Sequence, residues 1–456
     1  MTATCRIRFP RSEYDILMRH LFPGDRDEHG AVLLAGVSDQ NGEQILSVRE
    51  VHLAREGVDY VKGKIGYRAL EPTFIHRLIT RARDERLAYI AVHNHEADRH
   101  VGFSQIDTDS HHRGYPALLQ IAKGMPVGAL VAGRRSMQAS VWFPNGARLE
   151  LDEAVVVGKT IQRIHPAPLH ATSSFEFDRQ VRMFGLAGQQ DLRRCRVGII
   201  GLGGVGSLVT EYLARLGVGA FLLIDPDRVE ETNLSRIVGA TKTDSAHGSP
   251  KVEVAKRVIN NANSAAKVRT IVDDVAKESV ALELSQVDYL FLAADSMRAR
   301  LVFNAIVHQY LIPGVQLGSK VRADDSGSIL DIIAVNRPVR PGEGCLWCNE
   351  LIDPMGLAKE SKTDAEREAQ AYGTEQPNPS VIALNAISAS HAVNDFMLDY
   401  LSLRLEPDRL RYEQFNFLRD SRSLVEPRKT IDCSECSRSG KRFGRGDQVS
   451  LPCIES

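Results

Sequence analysis

The chain has 456 residues, 43% hydrophobic and 25% charged, a globular composition too long for one typical core, so two domains are expected. Its 57 Lys and Arg against 58 Asp and Glu leave a net charge of −1, which speaks against nucleic acid or an anionic membrane as partner. The opening "MTATCRIRFPRSEYD" turns charged at once and no apolar run approaches the roughly 18 residues of a spanning helix, so a soluble, cytoplasmic protein is expected.

Residues 1–162 read as mixed α and β. A helix around "SEYDILMRHLF" is followed by a strand "GAVLLAGV", a helix around "PTFIHRLITRARDERL" and a strand "AYIAVHNH". A helix begins after Ser104, and strands lie near "GALVAG" and "QASVWF". Residues 163–175, "RIHPAPLHATSSF", have two prolines and no apolar periodicity, and form the expected linker. From 176 to 456 strands alternate with helices: "CRVGII", "GSLVTEYLARLG", "AFLLID", "PKVEVAKRVINNAN", "VRTIVDD", "YLFLAAD". Such alternation predicts an α/β, doubly wound parallel sheet. The polar stretch 354–379 is long for a loop and is read as functional or mobile.

Two stretches of the first domain carry chemistry. In "AYIAVHNH" the period of two puts His93 and His95 on one face, about 7 Å apart along the strand, where a third ligand folding over could complete a metal site. Asp107 is the natural third ligand. The competing reading makes Ser104-x-x-Asp107 a helix capping box with the histidines as polar residues beside it. His100, His111 and His112 are read as surface residues.

In the second domain, "VGIIGLGGVGSLVTEYLARLG" sets Gly201, Gly203 and Gly206 between a strand and a helix, where backbone approaches phosphate. Asp225 ends the next strand and suits ribose hydroxyls, so an NAD enzyme stays open on the glycines alone. Asp295 ends a later strand, with an N-cap for "SMRARLVFNAIV" as the alternative role. Lys251 sits in a first helical turn after Pro250, unfavourably for the helix dipole. "CLWC" and "CSEC" offer Cys345, Cys348, Cys433 and Cys436 as two knuckles suited to a closed, structural zinc, with disulfides or unligated thiols as alternatives.

The continuation narrows the nucleotide. "FDRQVRMFG", "GQQ", "DPDRVEETNLSR", "GSPKVE" and "AADSMRAR", in that order around the glycines, resemble the adenylating domain of the ThiF and MoeB proteins of the ubiquitin-activating-enzyme superfamily, over residues 176 to about 440. The resemblance implies ATP with Mg²⁺. Gly201, Gly203, Gly204, Gly206 and Asp227 would belong to the nucleotide site. Asp225 would hold the ribose, Asn233, Arg236 and Lys251 the phosphates, and Asp295 the Mg²⁺. Arg179 would reach a partner subunit's active site, implying a homodimer, and paired cysteine knuckles are implied at the same two places. Members that form a thioester carry a Cys in the crossing loop; residues 349–385 hold none, which leaves Cys453 on the tail as the substitute thiol.

His93-x-His95 followed by Ser104-x-x-Asp107 resembles the JAMM (MPN) metalloproteases over roughly residues 10–150. That likeness implies catalytic Zn²⁺ on His93, His95 and Asp107, Glu28 as general base and Ser104 at the oxyanion. Two departures stand out: eight residues separate His95 from Ser104 where the usual pattern has seven, and Glu96 replaces a common Pro. Together the resemblances imply a bifunctional enzyme that activates, and trims or releases, a ubiquitin-like or sulfur-carrier β-grasp protein, with a conjugating or sulfur-donor protein as further partner. Sulfur-carrier activation for cofactor or cysteine biosynthesis, and an inactive docking module in place of the protease, are the alternatives.

Overall fold

The computed structural model describes residues 4–40, 42–61, 69–169, 175–324, 326, 328–360, 379–404 and 410–454. The chain divides into two compact units. The first comprises Met1–His170, Gln309–Leu311 and Arg438–Ser450, and the second Ala171–His308, Ile312–Ser437 and Leu451–Ser456.

In the first unit β1 (Thr4–Pro10), α1 (Arg11–Leu21), β2 (Gly30–Gln40), β3 (Glu43–Leu53), α2 (Pro72–Asp84), β4 (Ala88–Asn94), α3 (Gln105–Ala122), β5 (Val127–Ala132), β6 (Met137–Trp142), β7 (Arg148–Val157) and β8 (Ile161–Ile164) follow one another. The strands form one sheet in the order β1-β3-β2-β4-β5-β6-β7-β8, and β1 also pairs with β7, so the sheet curls back on itself. "GAVLLAGV" is apolar at every position because β2 is covered on both sides. Ala31, Leu33 and Ala35 pack inward with Ile7, Ile90 and Leu17 of α1. Val32 and Leu34 face outward onto Phe74 and Leu78 of α2 and Tyr115 of α3.

Residues 438–450 complete this unit. Arg49, 7% exposed, donates to the carbonyls of Gly440, at 3.2 Å, and of Phe443. The Gly36 N–H donates to the Gly444 carbonyl at 3.1 Å and the Asp447 N–H to the Val37 carbonyl at 2.8 Å. Contact at Gly36 is so close that a Cβ there would lie 2.3 Å from the Gly444 oxygen.

The second unit begins with α4 (Asp178–Arg194) and runs through β9 (Arg196–Ile200), α5 (Gly204–Leu216), β10 (Ala220–Ile224), α6 (Lys242–His247), α7 (Lys251–Ala262), β11 (Lys267–Ile271), α8 (Glu278–Glu283), β12 (Tyr289–Leu292), α9 (Met297–Gln309), β13 (Gly314–Ala323), β14 (Ile329–Val339), α10 (Pro354–Glu360), α11 (Ile382–Tyr400), β15 (Tyr412–Asn416) and β16 (Ser421–Val425). Its sheet has the order β11-β10-β9-β12-β13-β14-β15-β16. The first five are parallel and the last three antiparallel. This is the Rossmann-like, doubly wound sheet the strand–helix alternation predicts, with the chain reversing direction across the sheet at β9. Most of the 354–379 stretch, residues 361–378, lies outside the described residues. Among the described residues no helix is long and apolar enough to cross a membrane.

Gly36→Val is expected to displace the 438–450 segment and destabilise the first unit by about 1–3 kcal/mol, the usual cost of overpacking. Limited proteolysis should then cut within 438–450 at native temperatures; unchanged protection there would refute the role assigned to this segment.

Candidate functional sites

In the second unit the carboxyl ends of β9, β10 and β12 meet. Gly201, at φ +89°, turns the chain out of β9, and a Cβ on it would lie 2.7 Å from the Ala294 nitrogen of the loop after β12. A Cβ on Gly206 would lie 1.9 Å from the Gly201 carbonyl oxygen. Only glycine at both positions lets α5 start this close to the strand end, and the helix N-terminus, the kind of place that favours an anion, lies at that edge. Asp225, 4% exposed at the end of β10, accepts from Leu202 N–H at 2.5 Å and from Asp227 N–H at 2.8 Å, and its burial raises its carboxyl.

The other candidates lie on the segments that follow β10 and β12 and on α4. Lys251, at the start of α7, pairs with Asp227 at 2.6 Å, and its backbone N–H donates to the Asp227 carbonyl at 3.0 Å. Asn233 is buried, and Arg236 donates to the Thr232 carbonyl at 2.7 Å while its stem lies 3.4 Å from a Cβ built on Gly204. Asp295 is exposed just after β12. It does not cap α9: Ser296 Oγ takes the Ala299 N–H at 3.1 Å, and Glu360 takes those of Met297 and Arg298 at 2.7 and 2.9 Å. Arg179 is exposed in the first turn of α4.

The four knuckle cysteines form one cluster, although 88 residues separate the pairs. Cys345 lies 3.5 Å from Cys348 and 3.7 Å from Cys433, and Cys348 lies 3.7 Å from Cys436. Thiolates on a tetrahedral zinc at about 2.3 Å stand roughly 3.8 Å apart, so the donor set fits that ion. Hydrogen bonding, from Cys436 above all, pulls the Cys345 thiol below its ordinary range. Asn349 ties the knuckles together: its Nδ2 donates to the Cys345 carbonyl at 2.8 Å and its Oδ1 accepts from Arg428 N–H at 2.8 Å. Cys453 is half-buried, and the next residue's N–H bonds the Ala276 carbonyl at 2.9 Å, so this tail is held down.

In the first unit the β2–β4 register sets Gly30 opposite His93, which carries Glu28 to the end of β4. His93 Nε2 and His95 Nε2 lie 3.2 Å apart. Asp107 Oδ1 is 3.4 Å from His93 Nε2, its Oδ2 is 3.4 Å from His95 Nε2, and Glu28 Oε1 is 3.8 Å from His95 Nε2. Ligand atoms about 2.0–2.1 Å from a tetrahedral zinc stand roughly 3.3 Å apart, so these three also fit. The capping box is present in full alongside them. Ser104 N–H and Oγ–H both donate to Asp107 Oδ2, at 2.8 and 2.7 Å, and Asp107 N–H donates back to Ser104 Oγ at 3.2 Å. Burial would raise the Asp107 carboxyl, but hydrogen bonds from His93, His95 and Ser104 outweigh it and hold the group far below the usual carboxylate range. Burial raises the Glu28 carboxyl, the direction a base working near neutrality requires.

Comparison with known proteins identifies one unit. The model of the ThiF family matches residues 177–434. The chain belongs to the ThiF family. It is 35% identical over 120 residues to the sulfur carrier protein ThiS adenylyltransferase of Bacillus subtilis, a stretch covering 26% of this chain and 36% of that protein. It is 29% identical over 187 residues to the molybdopterin-synthase adenylyltransferase of Escherichia coli, covering 40% and 70%. It is 34% identical over 215 residues to the tRNA threonylcarbamoyladenosine dehydratase of Escherichia coli, covering 46% and 79%. The chain thus spans about a third of the length of the first of these relatives. The family match begins at residue 177, so the His93 site rests on its own geometry.

Three features of this ThiF-family chain carry no sequence signal. Asn385 of α11 reaches the glycine turn, its Nδ2 2.2 Å from a Cβ built on Gly204 and its Oδ1 accepting from Ser319 Oγ at 2.6 Å. Asn94 accepts from His29 N–H at 2.6 Å and so fixes the turn that carries Glu28. His111 corrects the surface reading: it is 7% exposed, packed against Phe103, Tyr115 and Trp142, and burial pushes it down to about 4. His100 and His112 are exposed. His93→Ala with Asp107→Ala is expected to lower bound zinc by one equivalent per chain and leave the cysteine-held equivalent in place, as read by elemental analysis. Unchanged zinc content would remove the first-unit site.

Proposed function

We propose that this protein uses ATP to adenylate the C-terminal carboxylate of a small ubiquitin-like or sulfur-carrier β-grasp protein, and that its first unit is a zinc-dependent peptidase acting at the same kind of C-terminus. The observation that carries the first half is convergence. Four separated sequence motifs supply Gly201, Asp225, Asn233, Arg236, Lys251 and Asp295 around three strand ends of a ThiF-family unit. The carboxylate oxygen attacks the α-phosphate, forming the acyl-adenylate while pyrophosphate leaves. A carboxylate is a weak nucleophile, so positioning and positive charge on the departing pyrophosphate lower the barrier. Lys251 and Arg236 supply that charge, Asn233 orients the phosphates, Asp225 holds the ribose, and Asp295 would hold Mg²⁺, which would offset the phosphate charge. Arg179, exposed on α4, reaches the active site of a second copy. The cysteine-held zinc is structural, since all four of its positions are taken.

The first-unit proposal rests on three ligand atoms at tetrahedral spacing with a carboxylate base beside them. Zinc held there supplies Lewis-acid activation of water and of the scissile carbonyl. Glu28 accepts the water proton and returns it to the leaving nitrogen. Ser104, with its hydroxyl proton on Asp107 Oδ2, orients that ligand, and turning the same hydroxyl outward would bring it to the oxyanion. The name of one relative, the sulfur carrier protein ThiS adenylyltransferase, supports a sulfur-carrier substrate.

The test is ATP–pyrophosphate exchange with candidate β-grasp carriers, followed by intact-mass measurement of the carrier. Exchange and a gain of AMP are expected. Lys251→Ala should cut exchange by about 100-fold without affecting C-terminal trimming, and His93→Ala with Asp107→Ala should abolish trimming without affecting exchange. No exchange with any carrier would overturn the adenylation proposal. Equal trimming by wild type and the double variant would reduce the first unit to a docking module.

A further inference from the structure

A third donor cluster shares no residue with either proposed site. α11 presents His391 and Asp395 one turn apart, and β15 presents Glu413 to them, their ligand atoms all lying within 4.8 Å of one another. His391 Nδ1 is 3.1 Å from Glu413 Oε2 and 3.9 Å from Asp395 Oδ2. Each carboxylate is held by its outer oxygen: Arg404 bonds Asp395 Oδ1 at 2.5 Å and Arg422 bonds Glu413 Oε1 at 2.6 Å. Asn336 Nδ2 donates to Asp395 Oδ2 at 2.6 Å, and the His391 ring lies against Phe415 with centroids 4.8 Å apart. The inner atoms are therefore oriented by their surroundings, as ligands with a supporting shell are. His391 Nδ1 and Glu413 Oε2 are both buried atoms and stand at ion-pair distance, 3.1 Å, without hydrogen-bond geometry between them. The three ligand atoms thus lie close enough together for one cation to reach all of them.

We propose that His391, Asp395 and Glu413 form a divalent-cation site that pins α11 to β15. One imidazole and two carboxylates suit an ion of the Mn²⁺ or Zn²⁺ kind, and not a thiolate-seeking one. The arginines on the outer oxygens offset the two carboxylate charges, so binding is reversible and weaker than at the four-cysteine site. The ion would act on the nucleotide turn through the helix, because α11 also carries Asn385, whose amide lies against Gly204. A cation here therefore fixes how the helix seats Asn385, independently of the Mg²⁺ expected at Asp295.

The experiment uses the full chain with zinc on its cysteines, without nucleotide, and with His93→Ala and Asp107→Ala to remove the first-unit site. Manganous chloride is titrated in, and free Mn²⁺ is read by its paramagnetic resonance. One saturable equivalent is expected. It should persist in Asp295→Asn and disappear in both Glu413→Gln and His391→Gln. Mn²⁺ should also raise the melting temperature of the parent protein but of neither variant, which guards against a variant that merely folds poorly. No saturable binding, or the same equivalent in both variants, would overturn the proposal and leave the cluster as an imidazolium held between two carboxylates.

Discussion

The contact on which the ThiF-family unit depends is the approach of the α5 backbone to the end of β9, where a Cβ on Gly206 would stand 1.9 Å from the Gly201 carbonyl oxygen. Any larger residue would push the helix off the strand and turn its N–H groups away from the edge. With the turn this tight, the loop after β12 closes on Gly201, Asp225 clasps Leu202, and Arg236 and Asn385 lie against Gly204. The charged residues of the three segments after β10, before α7 and after β12 then lie at the same end of the sheet. Positioning of this kind is what an acyl-adenylation needs, because the reacting carboxylate brings little reactivity of its own.

The first unit solves a similar problem with strand register. Pairing of Gly30 with His93 fixes the turn before β2 at the end of β4, and Asn94, on the opposite face from the histidines, anchors that turn through His29 N–H. The capping box and the proposed ligand set, which look like rivals in the sequence, use the same carboxylate without conflict. Asp107 has two oxygens, and the Ser104 groups that start α3 also aim it at the histidines. The residue added between His95 and Ser104 is absorbed in the connecting loop, and Asp107 still stands 3.4 Å from both imidazoles.

What the sequence alone determined is what short-range spacing dictates. Alternation put His93 and His95 on one face, the i, i+3 spacing made two cysteine knuckles, glycines between a strand and a helix marked a phosphate turn, and strand–helix alternation gave the doubly wound sheet. Tertiary structure alone decided which distant pieces meet. The two knuckles join across 88 residues, Asn385 arrives at the glycine turn from a helix with no motif of its own, and residues 438–450 lay their backbone against Gly36. It also decided which polar residues are interior, burying His111 among aromatic rings where its polar neighbours in sequence suggested surface. The physical reason is the range of the forces. Backbone geometry repeats every two or 3.6 residues and is written in neighbouring side chains, whereas contacts between segments depend on strand order and on close packing, which no local pattern encodes.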